Sequence, residues 1–97
     1  MKNVKRVVII TADWDYLRKD LDSLCEQVLR IGFECEIHNY NEEAVISLLI
    51  KYGISNGIIR IPQIYVIQNG EIRRVGYRVL DSIKLDIDEV INEVIRK

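Results

Sequence analysis

This chain has almost no net charge. Its 14 lysines and arginines face 15 aspartates and glutamates, leaving −1 at pH 7. A balance that even gives no overall pull toward nucleic acid or an anionic membrane. Cysteine is scarce: Cys25 and Cys35 are too few for the disulfide framework of a small secreted domain. One proline and five glycines leave no Pro- or Gly-rich linker or low-complexity tract. No apolar run approaches the roughly 20 residues of a membrane helix. The opening "MKNVKRVVIITADWD" is basic and then apolar, but the apolar run is short and lacks a small-residue cleavage site, so it reads as a strand. These absences point to the cytoplasm and away from a membrane. A single histidine, His38, is present, and no phosphate loop, catalytic triad or paired-carboxylate signature appears. No cofactor is implied.

What is present is a globular composition. Of 97 residues, 48% are hydrophobic and 30% charged, too apolar for a disordered segment. The length suggests one domain over residues 1–97. Such a chain buries roughly 60–70% of its unfolded surface, enough for one modest core. Enrichment in Ile, Glu, Lys and Arg, with one Pro, is a thermophilic bias.

"KRVVIIT", residues 5–11, is β-branched and continuously apolar, the pattern of a central strand covered on both faces. From Asp15 the period changes. Leu17, Leu21, Leu24, Cys25, Val28 and Leu29 recur at helical spacing. Asp13 or Asp15 is placed to cap the first turn, and Gly32 to end the helix. "FECEIHNY", residues 33–40, alternates: Phe33, Cys35 and Ile37 on one face, Glu34, Glu36 and His38 on the other. Asn41 is expected to cap a second helix with Glu42 and Glu43 in its first turn and Val45, Leu48, Leu49 and Tyr52 as its core stripe. "SNG", residues 55–57, marks a turn. Two strands, 61–67 and 71–77, join through Asn69-Gly70, a strong hairpin signal. Asp86 and Glu89 form a capping box for the last helix, Leu85 and Val90 its staple, and Ile87, Val90, Ile91, Val94 and Ile95 its buried face. The order is β-α-β-α-β-β-α. The early strand-helix-strand unit implies a parallel pair with a right-handed crossover. The expected fold is α/β, a four-stranded mixed sheet flanked by three helices.

Two stretches carry a resemblance. "VVIITADWDYLRKDL" parallels the strand, Trp-Cys-x-x-Cys-Lys and helix of the thioredoxin-like superfamily, with Trp14 and Lys19 matching the flanks. "KYGISNGIIRIPQIYVIQNGEIRRVG" is similar to that family's Tyr-Gly-Ile, Ile-Pro-Thr strand and Asn-Gly-Glu hairpin. The element order agrees along the whole chain. The resemblance implies a cis Ile61-Pro62 bond facing the active-site loop, with Ile61 offering its backbone to an extended peptide. The chain departs where the family does its chemistry. Asp15 and Arg18 stand at the two cysteine positions, and Ile9 stands where many thioredoxins keep a buried carboxylate. Without a thiolate at the helix N-terminus there is nothing for the helix dipole to activate. The segment between Tyr52-Gly53-Ile54 and Ile61-Pro62 is a few residues longer than in typical thioredoxins, and the second hairpin strand is slightly short.

Each candidate residue has a plain reading beside a functional one. Asp15 and Arg18 form a cap and an i,i+3 ion pair, or serve polar recognition together with Tyr16. Cys25 and Cys35 both point inward. They are either buried thiols acting as small hydrophobes, a structural disulfide, or, against their spacing, a catalytic pair. His38 lies on the opposite strand face from Cys35 and no fourth ligand is apparent, so no zinc site is expected. Trp14 and Tyr16 at the loop, with Tyr65 and Tyr77 on the hairpin, either pack loop on hairpin or expose an aromatic surface. Arg60, Arg73, Arg74 and Arg78 cluster around the hairpin, where basic residues guard a sheet edge.

Three functions follow. The first is a redox-inactive domain that binds a protein or peptide segment in a groove formed by Trp14, Asp15, Tyr16, Arg18, Ile61 and Pro62, with no catalytic residue and no metal. The second is an atypical thiol–disulfide oxidoreductase or redox sensor using Cys25 and Cys35. The third is a subunit whose sheet edge pairs with itself in a homodimer. The balance is against an enzyme.

Overall fold

The computed structural model describes residues 5–96. The start of the N-terminal reading, residues 1–4, lies outside them. The elements run β1 (Arg6–Thr11), α1 (Arg18–Ile31), β2 (Glu34–Asn39), α2 (Glu43–Leu48), a π-helical turn (Leu49–Gly53), β3 (Ile54–Ser55), β4 (Ile58–Ile59), β5 (Gln63–Gln68), β6 (Glu71–Val75), β7 (Val79–Leu80), β8 (Lys84–Leu85) and α3 (Ile87–Ile95). The main sheet has the order β2-β1-β5-β6. β1 and β2 are parallel, whereas β1–β5 and β5–β6 are antiparallel. This is the expected mixed α/β architecture of four strands and three α-helices. Two small hairpins, β3–β4 and β7–β8, are additions: the sequence signalled the first only as a turn at 55–57 and did not signal the second.

Register sorts the side chains. On one face, Val7 and Ile9 of β1 align with Cys35 and Ile37 of β2 and with Val66 and Ile64 of β5. These residues join Leu21, Leu24 and Val28 of α1 and Val90 and Val94 of α3 in the larger core. On the other face, Val8 and Ile10 meet Tyr65, Val45 and Leu49 in a smaller core beneath α2. β1 is buried on both faces from Val7 onward, as a continuous β-branched run requires.

The ends of the elements correct several expectations. α1 begins at Arg18 rather than Asp15, and its N-cap residue, Leu17, makes no side-chain cap bond. Gly32 does end it, at φ 103°, with its N–H donating to Leu29 O and that of Phe33 to Val28 O. That is the left-handed stop that glycine adopts most easily. Glu42, not Asn41, is the N-cap residue of α2. Tyr52 belongs to the π-helical turn and is largely exposed, so the core stripe there is Val45 and Leu49, with Leu48 half-buried. Asp86 caps α3 through the Glu89 N–H at 3.2 Å. The reciprocal half of that capping box is missing, because Glu89 takes Arg78 instead. Ile95 is exposed rather than part of the buried face. The hairpin turn at Asn69-Gly70 has positive φ at both residues, the geometry such pairs favour.

Cys25 of α1 and Cys35 of β2 are joined by a disulfide with a Cα–Cα separation of 5.6 Å. The bond corrects the free-thiol reading; a bonded pair is common to the structural disulfide and the redox pair. The bond ties helix to sheet inside the larger core.

Candidate functional site

The site grows from the end of β1. Its last residue, Thr11, is fully buried, and its hydroxyl donates to Asp15 Oδ2 at 2.6 Å. Asp15 Oδ1 accepts the Leu17 N–H at 2.9 Å. The Asp15 N–H returns to Ala12 O, and the Arg18 N–H reaches Asp15 O. Asp15 is therefore only 8% exposed, a buried carboxylate held by one hydroxyl and one amide. It closes the loop between strand and helix, much as a cap does, but from two residues before Leu17.

That fold-back turns the neighbouring rings outward. Trp14 is 73% exposed and Tyr16 is 66% exposed. Large aromatic rings this open, flanking a residue this fixed, are well suited to contact another surface. Asp15 does not pair with Arg18 as the i,i+3 reading expected. Arg18 instead reaches Asp13 at 3.6 Å and Asp22 at 3.9 Å, and Asn39 Oδ1 at 3.5 Å. Asp13 also accepts from Asn39 Nδ2. Asp13 thus braces the loop against the end of β2 and caps nothing.

The Ile61-Pro62 bond is cis. β1 and β5 are antiparallel with Ile10 opposite Gln63. One step further along that register, Pro62 falls beside Thr11, next to the base of the loop. Pro62 is buried and Ile61 half-buried. Tyr77 also belongs to this neighbourhood. Its hydroxyl is pushed above its ordinary pKa first by burial and then by the nearby Asp15 carboxylate. Tyr65 does not join the aromatic surface: it is fully buried under α2. A cavity of about 190 Å³ opens on the side of the loop away from Pro62, lined by Ala12, Asp13, Trp14, Asn39, Tyr40 and Asn41.

Gln63, the residue after the proline, has a role that periodicity did not reveal. It is 1% exposed, and its amide nitrogen donates to Gly53 O at 2.9 Å and Arg60 O at 2.8 Å. Its oxygen accepts the Tyr65 hydroxyl at 2.6 Å. One side chain thus fixes the approach to Pro62 and the end of the π-helical turn. Gly53 is required there, since a Cβ would lie 2.5 Å from Gln63 Oε1 and 2.7 Å from Leu49 Cδ2. The available signal was the polar residue inside "IPQIYVI".

The remaining sequence candidates lie elsewhere. His38 Nε2 meets Glu36 at 2.8 Å and Nδ1 meets Glu42 at 3.0 Å. Hydrogen bonds to these two carboxylates raise its pKa above the ordinary value. Glu36, bonded by Arg6 and His38, is lowered to about 2. Among the described residues, no group of His, Cys, Asp and Glu is arranged to hold a metal. Three of the four clustered arginines bond within the fold: Arg73 donates to Glu93 O at 2.8 Å, Arg74 to Tyr52 O, and Arg78 pairs with Glu89, while Arg60 is exposed. Among the described residues, no helix is long and apolar enough to cross a membrane. No protein family, curated protein or solved structure matches the chain.

Proposed function

We propose that this is a redox-inactive thioredoxin-like domain that binds an extended protein segment across Trp14–Arg18 and the Ile61-Pro62 strand. The observation that carries the reading is the pinned loop. Asp15, at the position of the family's first cysteine, is locked by Thr11 and Leu17, while Trp14 and Tyr16 stand in solvent on either side. A loop that is already ordered loses little entropy on binding. The strand order, the antiparallel hairpin and the cis proline beside the loop support the family assignment. Carboxylate and guanidinium at the two cysteine positions cannot exchange disulfides, so the contact is one of recognition. Main-chain hydrogen bonds along the strand entering β5, with the rings as anchors, are the expected mode. A structural disulfide in an intracellular protein suits a thermophilic cytoplasm, the setting we infer.

The test is selection of peptides from a random display library on the immobilised protein. The expected result is a set of binders lost by both Trp14→Ala and Pro62→Ala. Binders that ignore both substitutions would remove this surface from consideration.

The bonded cysteines support a second reading, in which Cys25 and Cys35 cycle as a redox pair. Against it stand the burial of Cys25 on the apolar face of α1 and its distance from any helix N-terminus. Catalysed reduction of a protein disulfide, abolished by Cys35→Ser, would establish it. Absence of that activity leaves the bond a staple.

A further inference from the structure

The α2 side of the sheet is incompletely covered. α2 is six residues long, about 9 Å at helical rise, and the π-helical turn extends it by little more than one turn. Together they shield Val8, Ile10 and Tyr65. They leave open the end of the sheet where β1 starts. There, Arg6 and Val8 of β1 neighbour Glu36 of β2, and Ile67 of β5 pairs with Ile72 of β6. A cavity of about 360 Å³ occupies the gap, a volume within the range of small-molecule sites.

Its chemistry is divided. Val8, Ile67 and Ile72 form an apolar floor, and Val45 and Leu48 of α2 add an apolar wall. The charged lining is Arg6, Glu36, His38 and Lys51. Glu36 is already engaged by Arg6 and His38. Lys51 stands on the rim with its ammonium 5.9 Å from the centre of the Tyr52 ring. Glu36 takes up the charge of Arg6, and His38 sits between Glu36 and Glu42, so Lys51 is the lining cation with no ion pair among the described residues. The lining therefore favours an anion, and the floor favours a hydrocarbon.

We propose that this cavity binds a small amphipathic carboxylate, its chain lying over Val8, Ile67 and Ile72 and its carboxylate held by Lys51. A neutral ligand of the same length would keep the floor and lose the charge contact. A cationic one would be repelled. The site is separate from the peptide surface, since its lining includes none of Trp14, Asp15, Tyr16, Arg18, Ile61 and Pro62.

The probe is octanoate, kept below its micelle-forming concentration, titrated into the isotopically labelled protein with methyl resonances as readout. Octanol and octyltrimethylammonium serve as comparators. Saturable shifts at Val8, Leu48, Ile67 and Ile72 are expected for octanoate, with octanol at least about tenfold weaker, a difference of about 1.4 kcal/mol. Lys51→Gln, an exposed substitution, should weaken octanoate by a similar factor with the amide spectrum otherwise unchanged, and Trp14→Ala should leave binding intact. Equal binding of octanol would overturn the proposal. So would shifts centred on the exposed Ile50, Ile58 and Ile59, or no saturation at millimolar octanoate. Should Lys51→Gln fail to fold, the three-ligand comparison on the unaltered protein decides alone.

Discussion

The two faces of the sheet are built to different standards. Beneath α1 and α3, the described residues of the larger core include thirteen buried side chains, and a disulfide crosses from helix to strand. Beneath α2, the corresponding cluster holds five, bordered by a charged network of Arg6, Glu36, His38 and Glu42 and by the 360 Å³ cavity. The first face is filled with carbon and closed to water. The second is thin, partly polar and open at one end. The contrast separates two jobs: the α1/α3 face supplies most of the stability, and the α2 face leaves room for a guest. The loop carrying Trp14 and Tyr16 is anchored by Thr11 at the end of β1, the strand that both faces share.

The sharpest way to break this contrast is to cut an equal side chain from each face. Leu24→Ala, under α1, is expected to cost about 3–5 kcal/mol, because the surrounding core cannot collapse into the void. Leu49→Ala, in the smaller core on the α2 face, is expected near the lower end, about 2 kcal/mol. Chemical denaturation of both variants measures the difference; equal losses would mean the α2 face is as tightly packed as the other.

Removing the staple comes next. Cys25 and Cys35 are ten positions apart. Chain-entropy arithmetic for a loop that short gives about 2–3 kcal/mol, lost on reduction or in the double Cys→Ala variant. Denaturation with and without reductant reads the loss directly. A shift far below that figure would show that the larger core holds α1 against β2 without the bond.

The α2 face should carry a smaller, pH-dependent contribution. His38 binds its proton more tightly when folded, chiefly through its bond to Glu36 and then Glu42. Its stabilisation is complete below the ordinary value of 6.5 and is lost as pH rises through the higher folded value. Glu36 works in the other direction. Its contribution is present above 4.5 and is lost as pH falls toward about 2. Unfolding curves across this range, repeated on His38→Gln, should show the alkaline decline disappear in the variant. A decline that persists would assign it to another group.

The smallest stability effect belongs to Trp14. Its ring is in solvent, so Trp14→Ala should change stability by less than about 0.5 kcal/mol. A melting curve that drops well beyond this would mean the ring packs on the fold and is unavailable to a partner.

Much of this architecture was legible in the residues, and what was not has identifiable causes. The β-branched run of β1, Gly32 and Asn69-Gly70 are each local signals in which propensity and pattern agree, and they held; the helical stripe of α1 held except at Leu29, which is exposed. The start of α1 was misplaced because Asp15 folds back on Thr11. That bond depends on the strand end being buried, which no periodicity reports. Asp86 capped as expected, but Glu89 was drawn away by Arg78, eleven residues earlier in sequence, in the segment between β6 and β7. Tyr65 alternates like a half-exposed strand residue, yet α2 lies over it. Gln63 is the instructive omission. Its three hydrogen bonds reach Gly53, Arg60 and Tyr65, partners that only the folded chain brings together. The cavity was equally hidden, since it arises from the shortness of α2 relative to the sheet.

The most direct test of the central claim is amide chemical-shift mapping with a display-selected peptide. Binding at the pinned loop predicts amide shifts confined to Ala12–Arg18 and to Ile61, Gln63 and Ile64, lost in Trp14→Ala while its melting temperature is unchanged. Shifts centred on α2, α3 or the edge of β6, with the loop silent, would contradict it.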